Sequence, residues 1–481
     1  MLTGRSIVTI NDLANREIEG VFSLADEMSN TMKEQYGLLR GKILATLFFE
    51  PSTRTRLSFE AAMHRLGGDV ISVAEAKSTS IAKGETIADT AKIVGSYADI
   101  IVIRHPWEGA AKVVADYAGV PVINAGDGSH EHPTQTLCDL YTIKKERGNI
   151  RGLKIALWGD LKNGRTVHSL IYALARFGAI ILFRPGPGLE VPEHVIRKLT
   201  AEFGGEFKRY ETLTESVKSK KLPVDAMYIT PDNPHQLAMM PDVRLDLELK
   251  RGIDALYVTR LQMERLAQEE GTLRETYPVV NKKLLSEKEF QKALVMHPLP
   301  RVDELAYELD ADPRSMYFKQ AARGIPIRMA LLSLLLGAKE LPPAREEEPA
   351  PKVSYPLYRR EYGIRCANPR CISIQPSERE YITPDFQIIS SQPLTLRCSY
   401  CEHETNPLYI ASTDWHEGRV EEKKYHAADS QWTQRIKPEN LILFDSKKEA
   451  EAHGFRASRF TGAPKRRQMK KKETPKSESS D

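Results

Sequence analysis

Short apolar runs rich in β-branched residues alternate with longer stretches of helical period from Gly41 to about Phe183. The runs at 42–49, 100–104, 121–124, 154–158 and 179–183 read as buried strands, and the segments between them read as helices. Such alternation predicts parallel α/β sheets, whose ligands lie beyond the carboxyl ends of the strands. A helical pattern at 318–339 turns strongly apolar in its second half and is expected to pack back on one of the sheets. Residues 341–351 are then crowded with Pro and Glu, which reads as a linker to a separate small domain. One local echo stands out: 224–230 (VDAMYIT) is repeated at 253–259 (IDALYVT), with no third copy.

The chain has 481 residues, enough for two to four domains. Its 41% hydrophobic and 28% charged residues are those of a globular protein and exclude a fibrous or wholly disordered chain. The longest apolar run, 329–338, is too short to cross a bilayer, and the first residues lack a basic-then-apolar leader. A cytoplasmic protein without a membrane partner is therefore expected. Net charge is +4, much of the excess lying after Arg459, where Lys and Arg crowd a polar tail expected to be disordered.

The residues after the predicted strands carry the candidate chemistry. Ser52-Thr53-Arg54-Thr55-Arg56 follows the first run and opens a helix expected to turn Leu57, Ala61, Ala62 and Leu66 inward. Free amides, hydroxyls and guanidinium forks at a helix start suit a phosphate. Arg104 ends the second run, and His132-Pro133-Thr134-Gln135 follows the third. Arg165 stands between a strand and a helix, Arg260 and Gln262 follow the second copy of the echo, and His297-Pro298-Leu299-Pro300 lies further on.

Taken in order, these motifs resemble the aspartate and ornithine carbamoyltransferases over about residues 1 to 340. The resemblance implies that Ser52, Thr53, Arg54, Thr55, Arg104, His132 and Gln135, with the carbonyls of Leu299 and Pro300, bind carbamoyl phosphate. Arg54, Thr55, Arg104, His132 and Lys83 are the implied catalytic set. Thr79–Thr86 resembles the loop that family members lend to a neighbouring chain, so Ser80 and Lys83 would act in trans within a homo-oligomer, expected to be a trimer or a multiple of one; the serine and lysine stand one residue closer than in the family. Glu50 is expected to pair with an arginine of the second half. Lys83, Arg165, Arg260 and Gln262 are the implied aspartate site, because two carboxylates favour arginine forks. Ornithine enzymes carry a cysteine where this chain has Pro298, which favours L-aspartate; transfer to ornithine or another amino acid remains the alternative. No organic cofactor is expected.

The cysteines divide sharply. Cys138 stands alone in a helical pattern and reads as core. Cys366-x4-Cys371 and Cys398-x2-Cys401 have the spacing by which two turns hold Zn²⁺, one structural ion per chain. These turns resemble the zinc domain of the aspartate carbamoyltransferase regulatory chain, while residues 341–366 leave no room for that chain's nucleotide-binding domain. A zinc and basic-tail module that binds nucleic acid is the competing second function, with few aromatics in the tail to favour it. The expected organisation is a carbamoyl phosphate-binding domain at 1–135 with a return helix at 317–340, an aspartate-binding domain at 136–316, a linker at 341–352, a zinc domain at 353–460 and a basic tail at 461–481. Two parallel-sheet α/β domains with the active site in their cleft, plus a small β-rich zinc domain, are the expected fold. The segment between Thr230 and Ile253 looks longer than in the family, and its role is open, as are effectors, cooperativity and assembly beyond a trimer.

Overall fold

A computed structural model describes residues 2–31, 33–74, 84–186, 188–203, 224–230, 252–260, 280–302, 304–341, 353–413 and 423–458. The chain divides into two compact units, Met1–Val353 with Arg370–Tyr381, and Ser354–Pro369 with Ile382–Asp481.

The first unit begins with α1 (Asn15–Asn30) and alternates strand and helix through β1 (Ile43–Phe48), α2 (Thr53–Arg65), β2 (Asp69–Val73), α3 (Ile87–Gly95), β3 (Ile100–His105), α4 (Ala110–Tyr117) and β4 (Val122–Asp127). These strands form a parallel sheet ordered β2-β1-β3-β4. Helix α5 (Pro133–Arg147) leads into β5 (Lys154–Gly159), α6 (Arg165–Arg176), β6 (Ile180–Pro185), α7 (Glu193–Phe203), β7 (Ala226–Thr230), β8 (Ala255–Val258), α8 (Lys282–Ser286) and β9 (Leu294–Met296). The second sheet is again parallel, ordered β6-β5-β7-β8-β9. Helix α9 (Tyr317–Leu335) packs on α1, α2 and α5. One continuous apolar core runs under both sheets, from Leu44, Val102 and Ile123 through Leu137 and Leu331 to Ile155 and Leu170.

Each sheet reverses its order once, between β1 and β3 and between β5 and β7. Such reversals leave a crevice at the carboxyl ends, because the two flanking crossovers leave in opposite directions. The loops after β1, β3, β4 and β5 all open there.

Several expectations meet the structure at particular residues. The five predicted strands form, whereas β2 was not anticipated: its exposed edge position gives it a weak apolar signal. The echoed segments are neighbouring strands, Ala226 beside Ala255 and Tyr228 beside Tyr257 in one register, so the repetition reflects two adjacent strands under the same packing demand. The expected boundary at 135/136 falls inside α5, which runs unbroken from Pro133. The inward stripe of α2 is corrected in part: Ala62 and Leu66 are buried as expected, beside Thr55, Phe59 and Met63, while Ala61 is half-buried and Leu57 is 49% exposed. On that buried face Phe59 lies 4.9 Å under the guanidinium of Arg328 on α9. Segments 231–251, 342–352 and 459–481, which hold most of the long segment, most of the linker and the basic tail, lie outside the described residues.

The second unit is β-rich. Strands β10 (Leu357–Arg359), β11 (Asp385–Ser391), β12 (Leu394–Cys398) and β13 (Glu404–Thr405) form one antiparallel sheet. A second sheet comprises β14 (Tyr409–Ser412), β15 (Lys424–Ala427), β16 (Leu441–Phe444) and β17 (Arg456–Ala457), with α10 (Lys447–Ala452) between the last two. Tyr409, Tyr425, Ile442, Phe444 and Phe455 form its own core. No described helix is long and apolar enough to cross a membrane.

Packing between α3 and α4 leaves no room at Gly95, where a Cβ would sit 1.9 Å from the carbonyl oxygen of Ala118. Helix propensity alone predicts that Gly95→Ala stabilises by ~1 kcal/mol. Overpacking against backbone predicts the opposite sign, a loss of ~1–3 kcal/mol, to be read from denaturant unfolding of the variant.

Candidate active site and cysteine cluster

A cavity of about 760 Å³ lies at the carboxyl ends of both sheets of the first unit. Arg54, Arg104, Arg165, Arg260, Arg328 and Arg370 line it, and among the described residues Glu50 is its one acidic lining side chain. This excess of guanidinium groups makes the cavity a receptor for anions of high charge.

The first turn of α2 supplies Ser52, Thr53, Arg54 and Thr55, and that turn contains no acid. Arg54 has its pKa lowered, first by burial and then by the charge of Arg260, which means that the two cations face the same space. Arg104 leaves the end of β3 and donates to Glu50 Oε1 at 2.5 Å and to the carbonyl of Ala125 at 3.4 Å. Glu50 also receives Arg165, the first residue of α6, whose Nη2 and Nη1 lie 2.6 and 3.1 Å from its two carboxylate oxygens. Nη1 of Arg165 donates to the carbonyl of Gly128 at 3.1 Å as well. Burial acts to raise the pKa of Glu50, but the hydrogen bonds and charges of Arg165 and Arg104 outweigh it and hold the value at about 2.

His132 caps the start of α5 and is buried. Burial first, then the charges of Arg104, Arg165 and Arg328, push its pKa well below 6.5, so the imidazole is neutral. A neutral ring can donate one N–H to a carbonyl without bringing in another charge. Gln135 donates to Asp139 Oδ1 at 2.8 Å, and Asp139 also receives Gln320 and Tyr257. Its burial raises its pKa to about 7 against those hydrogen bonds. Gln320 in turn accepts the backbone N–H of His297 at 3.0 Å, tying the loop of Pro298, Leu299 and Pro300 to the same network. Leu299 has φ 55, a left-handed conformation rare for a branched side chain, and it lines the cavity with Pro300.

Of the residues singled out from sequence, Ser52, Thr53, Arg54, Thr55, Arg104, His132, Gln135, Arg165, Arg260, Leu299 and Pro300 meet around this cavity. Ser80, Lys83 and Gln262 lie outside the described residues. The expected partner of Glu50 in the second half is Arg165, which is therefore turned to a protein carboxylate here. Cys138 is buried as expected, but it is more than filler: it borders the cavity and accepts from Arg328 at 3.6 Å. Sequence reasoning missed Gln320, Arg328 and Arg370. A charged residue directly before the apolar run of α9 was the available signal for Arg328; nothing local marked the other two.

The sulfurs of Cys366, Cys371, Cys398 and Cys401 all lie within 4.8 Å of one another, and those of Cys366 and Cys401 are 3.5 Å apart. Four thiolates around one tetrahedral Zn²⁺ stand ~3.8 Å apart, so these side chains fit a structural metal. All four are buried.

Two parallel α/β layers that close an arginine-rich cleft define an enzyme of small anionic substrates. Residues 5–145 match the family model of the aspartate/ornithine carbamoyltransferase carbamoyl-P binding domain, and 235–335 match the Asp/Orn binding domain of the same family. Residues 361–410 match the metal binding domain of the aspartate carbamoyltransferase regulatory chain. The aspartate carbamoyltransferase catalytic subunit of Picrophilus torridus is 46% identical over 341 residues, 70% of this chain and 100% of that protein. Its counterpart in Thermococcus kodakarensis is 48% identical over 338 residues, 69% and 97% of the two chains. The catalytic subunit of M. jannaschii aspartate transcarbamoylase superposes with a TM-score of 0.54 at 43% identity, covering 69% of this chain and 98% of that one. Trypanosoma cruzi aspartate transcarbamoylase in complex with carbamoyl aspartate and phosphate gives 0.55 at 36%, covering 70% and 96%. The chain belongs to the aspartate/ornithine carbamoyltransferase family.

The carboxyl of Glu50 contributes stability that is fully present above pH 4.5 and is lost as the pH falls toward about 2. Glu50→Gln should therefore flatten acid unfolding across that window and lower stability at neutral pH by at most ~3 kcal/mol. Chemical denaturation at a series of pH values reads both effects.

Proposed function

We propose that this protein is an aspartate carbamoyltransferase that transfers the carbamoyl group of carbamoyl phosphate to L-aspartate, yielding N-carbamoyl-L-aspartate and phosphate for pyrimidine synthesis. The observation that carries the reading is the joining of the Ser52–Thr55 helix start, Arg104 and neutral His132 with Arg165 and Arg260 of the second half around one cavity. The first group suits a phosphoryl and a carbonyl, the second a dicarboxylate.

The amine nitrogen of aspartate attacks the carbamoyl carbon, the bond from that carbon to the phosphate oxygen breaks, and the departing phosphate takes the amine proton. Arg54, with Ser52, Thr53 and Thr55, holds the phosphoryl group and stabilises charge developing on the bridging oxygen. Arg104 and His132 donate to the carbamoyl oxygen, while Gln135 and the carbonyls of Leu299 and Pro300 hold the carbamoyl nitrogen. Arg260 and Gln262 receive the carboxylates of aspartate. Arg165 shares that task and forms the bond to Glu50 that holds the two halves together. Ser80 and Lys83 complete the site from a neighbouring chain, which makes a cytoplasmic homotrimer, or a multiple of one, the active form. The four cysteines hold one structural Zn²⁺ per chain; the metal supplies cross-linking of two turns and no chemistry at the carbonyl.

Phosphate release from carbamoyl phosphate should require L-aspartate and fail with L-ornithine; turnover with ornithine alone would reassign the acceptor site. Arg54→Ala should lower kcat by ~100-fold or more, and an unchanged turnover number would remove Arg54 from the mechanism. Separately inactive Arg54→Ala and Lys83→Ala chains should regain activity when dissociated and mixed, because a hybrid trimer contains one kind of interface with both residues intact. No recovery in verified hybrids would refute the shared site. Elemental analysis should find one zinc per chain, falling in Cys398→Ala.

A further inference from the structure

Among the described residues Arg370 is the one lining residue of the cavity that comes from beyond residue 341, and neither the carbamoyl phosphate reading nor the aspartate reading uses it. Its segment, Arg370–Tyr381, packs as part of the first unit. The backbone there adds a parallel bridge to the loop after β3: Glu108 donates its N–H to the carbonyl of Arg370, and Ile372 donates to the carbonyl of Glu108, both at 2.9 Å. The attachment directs the Arg370 side chain to two anchors. Its Nε lies 3.3 Å from Glu108 Oε1, on the first half of the unit. Its Nη2 donates to Asn163 Oδ1 at 3.2 Å, on the second half.

Both anchors are held in turn. Asp160 accepts the amide of Asn163 on both carboxylate oxygens, each at 3.2 Å, which orients the carbonyl oxygen of that side chain toward Arg370. Glu108 is buried and also accepts the N–H of Ser129 at 3.3 Å. Each anchor is tied to Arg165, Asn163 along the chain and Glu108 through its bond to Ser129. Asn163 precedes Arg165 by two residues, and Ser129 follows Gly128, whose carbonyl accepts from it. One planar fork therefore spans the two halves beside the Arg165–Glu50 bond, in a geometry that lysine cannot reproduce.

We propose that Arg370 is a positioning residue that clamps Glu108 to Asn163 across the cleft and so holds Arg165 for the second substrate, the dicarboxylate. This proposal rests on the aspartate carbamoyltransferase reading above. Of the carbamoyl phosphate groups, Ser52–Thr55, Arg104, His132 and Gln135 sit on the first half and only the carbonyls of Leu299 and Pro300 come from the second, so that substrate depends less on the clamp. The dicarboxylate groups sit across the cleft and depend on it more.

The test is steady-state kinetics of the full-length chain with carbamoyl phosphate and L-aspartate varied separately, for the parent, Arg370→Ala, Arg370→Lys, Asn163→Ala and the Arg370→Ala/Asn163→Ala double variant. Loss of a hydrogen-bonded charged clamp should raise KM for aspartate about tenfold, with KM for carbamoyl phosphate within twofold of the parent. Asn163→Ala, which leaves the cysteine turns untouched, should raise KM for aspartate in the same direction, and the double variant should be no worse than Arg370→Ala. Arg370→Lys should recover only part of the loss. An unchanged KM for aspartate in either single variant, equal changes in both KM values, or additive effects in the double variant would overturn the clamp. If Arg370→Ala does not fold, Asn163→Ala still decides by the same split. A parent chain that transfers nothing to aspartate would instead defeat the underlying reading, so the two failures are distinct.

Discussion

The cleft depends on one half-buried carboxylate, that of Glu50. Arginines that suit a phosphate dianion and a dicarboxylate repel one another, in keeping with the lowered pKa of Arg54, set first by burial and then by the charge of Arg260. Glu50 reduces that repulsion by accepting Arg104 from β3 and Arg165 from α6. The same contact bridges the halves, so charge balance and domain geometry are one interaction. Removing either guanidinium leaves a half-buried carboxylate short of a partner, a costly state where solvent reaches it only in part.

The remaining polar groups follow from that electrostatic setting. Three arginines and burial keep His132 neutral, which fits it to donate to a carbonyl oxygen. Asp139 gathers Gln135, Gln320 and Tyr257, so the amide of α5 and the loop after β9 are held by a single acid rather than by separate contacts. Arg328 enters from α9 with its guanidinium over Phe59, which lets a charge reach the cavity at the start of the helix's apolar half. The helix that packs the core therefore also lines the site.

Much of the candidate site was legible because its residues follow strands. The turns at Ser52–Thr55 and His132–Gln135 carry several polar residues directly after an apolar run, a local pattern that spacing reveals. The cysteine pairs were legible for the same reason, since a tetrahedral metal demands short spacing within each turn. Gln320 and Arg370 left no such mark. Each reaches the cavity from an element distant in sequence, and only packing determines where its side chain ends. The stripe of α2 was misassigned at Leu57 for a related reason: the helix packs on α9, more than 250 residues away along the chain.

The sequence by itself determined the parallel α/β class, the strand-end location of the chemistry and the four-cysteine cluster, because these depend on short-range period and spacing; the family followed from the resemblance of its ordered motifs. Tertiary structure alone decided that Glu50 is shared by two arginines, that the echoed segments are neighbouring strands, and that Arg370 bridges Glu108 and Asn163. Those contacts join residues from 29 to more than 250 positions apart, and nothing in local periodicity encodes which distant side chains a folded core brings together.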